Sequence, residues 1–311
     1  LDSSKLTVTD SADLNSFVVG GSRVNGGKNH RIGNVELNIS GGVFDRGASA
    51  YTWGAGYVKG GELSVDNVTV NLSSNIDGDI YGGAHNRDKG SSNVANSIIN
   101  VDGGDFKRIY GGGWAQGEGS SSVGNVLINI EAGSVFAVYA GGANGLNSTS
   151  TIENAIINVS DRADIENIYL TGRHNKSNVA GDVTLNVSGG DVDVVSGITP
   201  WGADMVSGIT KAVITTSLED LIVDGVDVFA IGNKAEVNMR EEIDSSDFTT
   251  LQFIIEDAEN FSDSWTALTT DAEIDLANIT VNFADANGSL IESGFDAIVS
   301  DDKKSILVSR A

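Results

Sequence analysis

The most regular polar feature of this chain is a series of residue pairs four positions apart. They are Asn34/Asn38, Asn67/Asn71, Asn96/Asn100, Asn125/Asn129, Asn154/Asn158 and Asp182/Asn186. A carboxamide both donates and accepts hydrogen bonds, so stacked copies can bond to one another as ladders or present a flat face to a glycan or protein. Within three of these pairs Ile98, Leu127 and Ile156 take the same outward position, where the neighbouring copies have Glu36, Thr69 and Thr184. An exposed aliphatic stripe predicts cover by another segment or contact with another chain. Ile98, Leu127 and Ile156 with Asn96, Asn100, Asn125, Asn129, Asn154 and Asn158 are therefore the candidate interaction surface.

Glycoside cleavage needs paired carboxylates, or a base, beside a groove. Asp161/Asp164 and Asp191/Asp193 with Trp114 and Trp201 are the residues that could assemble one. In a chain with 43 acidic residues such pairs also arise by composition, and turn and capping roles for Asp come first. Trp53, Tyr57, Trp114 and Trp201 read as loop aromatics that stack on sugars or pack at corners. His30, His85 and His174 read as loop residues. His85 and His174 stand 89 positions apart, close to three repeats, so about 14 Å separates them and they share no metal. No complete nucleophile elbow or His-based zinc motif is present. Gly26-Gly27-Lys28 lacks the leading Gly and the Ser/Thr of a phosphate loop. Gly103-Gly104-Asp105 and Gly189-Gly190-Asp191 carry only the opening of a calcium-binding nonapeptide. No catalytic, cofactor or metal residue is assigned, and calcium is the one ion the acidity leaves open.

The asparagines sit on strands. Anchored on Asn38, Asn71, Asn100, Asn129, Asn158 and Asn186, the successive steps are 33, 29, 29, 29 and 28 residues, which is a repeat with one loop insertion. A second marker keeps the same phase: Val19, Trp53, Tyr81, Tyr110, Tyr139 and Tyr169 end apolar strands, several followed by Gly-Gly. The inward positions, such as Val126/Ile128/Ile130, alternate with period two. One repeat has too little apolar surface to fold alone and must stack on its neighbours. The predicted fold is all-β, a right-handed parallel β-helix of about six to seven coils of ~29 residues. Residues 1–211 would form the helix with an N-terminal cap strand, and residues 212–311 irregular β coils or a small β cap domain. Phe295 to Ser300 and Ser305 to Arg310 would close it as a hairpin, and a short helix would lie near 217–221 or 240–246. Gly-Gly pairs are expected to supply corners with φ > 0. The polar segments 85–94 and 114–123 are expected to be variable loops that carry specificity.

Composition narrows the function classes. A formal charge of -24 excludes a phosphate-binding, nucleic-acid role and an anionic membrane surface. The absence of Cys removes disulfides and thiolate metal sites. No apolar run is long enough to span a membrane, and the start at Leu1 without Met reads as a processed or excised segment.

Repeated Tyr-Gly-Gly corners, Asn-rich alternating strands, acidity and no Cys together resemble the β-helical passenger segments of bacterial autotransporters and related surface adhesins, over about residues 14–210. That resemblance implies export and display at the bacterial cell surface. It also implies an adhesive or structural role, with a host or neighbouring-cell protein or glycan, or other copies of the chain, as partner. The expected function is thus a non-enzymatic, extracellular adhesin or structural surface protein. A self-assembling filament or layer subunit and a β-helix polysaccharide lyase or glycoside hydrolase are the alternatives.

Overall fold

The computed structural model describes residues 1–9, 17–41, 50–145, 147–174, 176–199, 206–232, 234–258, 261 and 264–311. Among them there is no helix, and the chain winds into a β-solenoid of about 9 turns. Three runs of strands stack in parallel along its axis. The first begins at Ser3–Val8 and passes through residues 34–39, 67–72, 96–101, 125–130 and 154–159, each in register with the next. These are the asparagine strands, and their inward residues Val126, Ile128 and Ile130 are at most 3% exposed. Burying each contributes about 1.5–3 kcal/mol, available only once a neighbouring coil covers it.

The second run holds the aromatic marker: Phe17–Val19, Ala50–Trp53, Ile76–Tyr81, then residues 106–110, 135–139 and 164–169. The third follows the glycine corner and leads back into the asparagine strands. Here the structure corrects the expectation of loops. Residues 85–94 lie within one strand, Ala84–Tyr110, and most of 114–123 lies in Trp114–Ala115 and Ser120–Tyr139, leaving only a turn near 116–119. Ser92, Ser121, Ser150 and Ser177 stack in register and are buried. Ser150 and Ser177 hydroxyls donate to the carbonyls of Gly113 and Gly142. A serine is what fits there: a Cβ on Gly113 would lie 2.2 Å from Ser121 Oγ, so a larger inward side chain would collide with the corner.

The glycine pairs behind the aromatic positions do not serve the backbone conformation expected of them. None of Gly20, Gly21, Gly82, Gly83, Gly111, Gly112, Gly141 or Gly142 has positive φ among the described residues. They are glycines because adjacent coils touch at the corner; a Cβ on Gly82 would sit 2.5 Å from the Gly111 carbonyl oxygen. Left-handed backbone occurs at another bend, where Gly103 and Gly104 have φ of 147° and 101°.

The coil count also exceeds six to seven. Beyond Asn186 the same rung continues in register to Val213, Ala230, Gln252 and Asn282, at steps of 27, 17, 22 and 30 residues. Pairing requires only that each rung present its backbone to the next, so coils of unequal contour still stack. No helix forms near 217–221, where Leu218–Asp224 is a strand, nor at 240–246, which turns. Antiparallel pairing appears at the end, where Ser305–Arg310 lies between Trp265–Thr270 and Phe295–Val299. The extra residues of the 33-residue step fall around 42–49, outside the described residues.

Candidate functional site: two amide ladders and an aromatic corner

The asparagines form two ladders. In the outer one the amide of Asn67 donates to Asn34 at 2.9 Å, Asn96 to Asn67 at 3.0 Å, Asn125 to Asn96 at 3.1 Å and Asn154 to Asn125 at 3.4 Å. It ends where Asn154 Oδ1 accepts the backbone N–H of Asp182. The second ladder is tighter, with Asn71, Asn100, Asn129, Asn158 and Asn186 each donating to the preceding coil at 2.7–2.9 Å. All its donors point toward the N-terminal end, where Asn38 Nδ2 donates to Glu36. The Lys5 ammonium, then Asn38, hold the Glu36 carboxyl below its usual range.

Between the ladders Ile98, Leu127 and Ile156 are aligned coil over coil. The stripe is less open than the sequence suggests: Ile98 and Leu127 are half-buried among their in-register neighbours, and Ile156 is 45% exposed. Beyond the second ladder runs a groove of about 430 Å³, lined by Asn38, Asn71, Asn100 and Asn129 together with Ser73 and Asp102.

The aromatic marker builds something the sequence did not announce. On these strands Ile80, Ile109 and Val138 enter the aliphatic core, whereas Tyr81, Tyr110 and Tyr139 point to the other face and pack as a separate cluster. The rings of Tyr81, Tyr110, Tyr139 and Tyr169 stack at centroid distances of 4.5, 4.7 and 4.8 Å. Across the glycine corner stands the row Tyr57, His85, Trp114, in register with one another. Trp114 lies flat on His85 at 4.5 Å and tilts against Tyr51 at 5.0 Å. Offset-stacked pairs of this kind contribute about 0.5–1.5 kcal/mol beyond their buried area.

Charge enters this corner in neutralised form. Asp79 is buried with both carboxylate oxygens 3.3 Å from Arg108 Nη1, and Arg173 Nη1 donates to the Tyr110 hydroxyl at 3.1 Å. Burial raises the Asp79 pKa, and Arg108 and Arg173 oppose it. Burial also pushes the Tyr110 hydroxyl to about 12, with the Asp79 charge adding to it. His85 is a buried strand residue and not the loop histidine expected; burial drives it down to about 4 despite the hydrogen bond to Gln116. Nor are His85 and His174 equivalent three coils apart, because the row runs His85, Trp114, Ala143, Arg173.

Trp53, Tyr57 and Trp114 are therefore strand residues of this corner, and Trp201 lies outside the described residues. Among the predicted carboxylates, Asp164 and Asp193 share a shallow depression of about 400 Å³ with Asp105 and Glu166. Asp164 is in register with Asp191, while Asp161 is an exposed bulge residue with φ of 53°. Trp114 does not line this depression. Among the described residues no group of three or more His, Cys, Asp or Glu is placed to hold a metal ion, and no helix is long and apolar enough to cross a membrane. The buried corner leaves two signals that a sequence can carry: aromatic residues recurring in phase on strands, and a charged residue two positions before them, as at Asp79/Tyr81 and Arg108/Tyr110. Comparison with protein-family models, with curated proteins and with solved structures finds no match.

Proposed function

We propose that this chain is a non-enzymatic element exported to the bacterial cell surface, where it acts as an adhesin or structural body. The observation that carries the reading is that the repeat's polar and aromatic groups are engaged with copies of themselves. Two amide ladders and a tyrosine stack run across consecutive coils. Groups engaged in this way stiffen a long body; the surfaces left over are shallow, periodic and acidic, suited to many weak contacts. A charge of -24 and the lack of Cys fit an exported protein kept soluble by repulsion and stabilised by repetition.

The test is antibody labelling and protease shaving of intact source cells, together with product analysis after incubation with a polysaccharide panel. Labelling before lysis with no cleavage products is expected. Signal only after lysis would refute display, and released oligosaccharides would favour a lyase or hydrolase. The aligned Ile98, Leu127 and Ile156 support a second reading, lateral self-assembly, whose test is the oligomeric state of a Leu127 variant.

A further inference from the structure

We infer that the groove beside the second ladder is a binding site for an extended, uncharged β-linked hexose polymer lying along the solenoid axis. The inference rests on the reading of the chain as an adhesive surface element and names the ligand class. Each carboxamide has two N–H donors and an oxygen with two lone pairs. In Asn71, Asn100 and Asn129 the ladder uses one donor and one acceptor site. One of each remains per coil on half-buried side chains that line the groove. The leftover donors and acceptors recur at the coil spacing, about 4.8 Å.

A ligand that satisfies such a row must itself offer hydroxyls at nearly that interval in a straight line. A linear β-linked hexopyranose chain does so, since each ring advances it by about one coil. An extended peptide repeats at about 3.3 Å per residue and falls out of step after one or two coils. Charge selects further: Asp102 and Glu131 line the groove and no Lys or Arg does. Phosphate-bearing and uronic acid polymers are therefore repelled, and neutral sugars are not. Ser40 and Ser73, exposed on consecutive coils, add hydroxyls to the groove lining beside the ladder.

The groove follows the ladder over Asn38, Asn71, Asn100 and Asn129, three coil steps or about 14 Å. Affinity should accordingly rise with chain length up to about four sugars and then level off.

The experiment is calorimetric titration of the intact chain with cello-oligosaccharides of increasing length, with an oligogalacturonate as the charged comparator. Ser73→Trp fills the groove from an exposed position without touching a ladder bond, and Ser40→Trp does the same one coil away should the first misfold. At least tenfold weaker binding is expected in the filled variant, with unchanged binding in Glu153→Ala, an exposed position outside the groove. Undetectable binding at millimolar sugar, equal binding in the filled variant, or tighter binding of the oligogalacturonate would overturn the inference. If no sugar binds but intact cells are still labelled, this site falls and surface display stands. If cells label only after lysis while the length-dependent titration holds, display falls and the site stands.

Discussion

Replacing His85 by Phe isolates the energetics of the aromatic corner. In the folded chain His85 stays neutral down to about pH 4, whereas an ordinary histidine titrates at 6.5. As pH falls below 6.5 the unfolded chain takes up a proton that the folded chain refuses. The stabilising effect of the neutral state is therefore complete above 6.5 and lost on the way to 4. At about 1.4 kcal/mol per pH unit, that interval removes about 3 kcal/mol. Phenylalanine retains the stack on Trp114 and the tilted contact with Trp53, at 4.5 and 4.6 Å for the native ring, but gives up the 3.2 Å hydrogen bond to Gln116. That bond contributes about 1 kcal/mol. The variant should be the weaker protein by about 1 kcal/mol at pH 7 and the stronger by about 2 kcal/mol at pH 4. The curves cross near about pH 5.7.

Asp79 and Asp247 act in the opposite sense. Burial raises both, Asp247 to about 6, so the folded chain is protonated first and gains stability as pH falls. They are common to both proteins and cancel in the difference. Urea midpoints followed by tryptophan fluorescence from pH 7 to 4 measure it. Parallel curves for the two proteins would refute the assignment of a buried, neutral His85.

Four further outcomes are expected. Asn100→Ala removes a donor bond of 2.8 Å and an acceptor bond of 2.9 Å and should cost about 2 kcal/mol, against about 1 kcal/mol for Asn186→Ala at the ladder's end, by chemical denaturation. Gly111→Ala places a Cβ 2.3 Å from Val126 Cγ1 and 2.4 Å from the Ala140 carbonyl oxygen; its melting point should fall by an amount equivalent to about 3 kcal/mol. Gly26→Ala, with φ of 68° and open space around it, should cost only about 1 kcal/mol. Leu127→Asp should leave circular dichroism unchanged and abolish self-association in sedimentation velocity, and an unchanged sedimentation profile would end the assembly reading.

The asparagine strands were legible because alternation with period two and a constant step both survive in the residue string. Val126/Ile128/Ile130 could face only the core. The serine strands were not legible, since Ser92 and Ser121 carry the composition of a loop. Only the closeness of the glycine corner explains why small polar residues are buried there. The aromatic corner was half visible: the phase of Tyr81, Tyr110 and Tyr139 could be read, but not that these rings face away from the aliphatic core and are buried nonetheless. Beyond Asn186 the string loses its period because coils of 17 and 22 residues scramble any fixed spacing, although backbone pairing continues unbroken.

The equality of the central coils makes length a discrete variable. Residues 111–139 span 29 positions, the step that separates Asn100 from Asn129 and Tyr110 from Tyr139. Excising them would join Tyr110 directly to Ala140, bring Tyr110 onto Tyr169 and Asn100 onto Asn158, and leave every remaining row aligned. The body would shorten by one increment of about 4.8 Å, and inserting a copy would lengthen it by the same amount. Such a chain can change its reach by duplication or loss of whole units while its backbone rows and amide ladders stay in register.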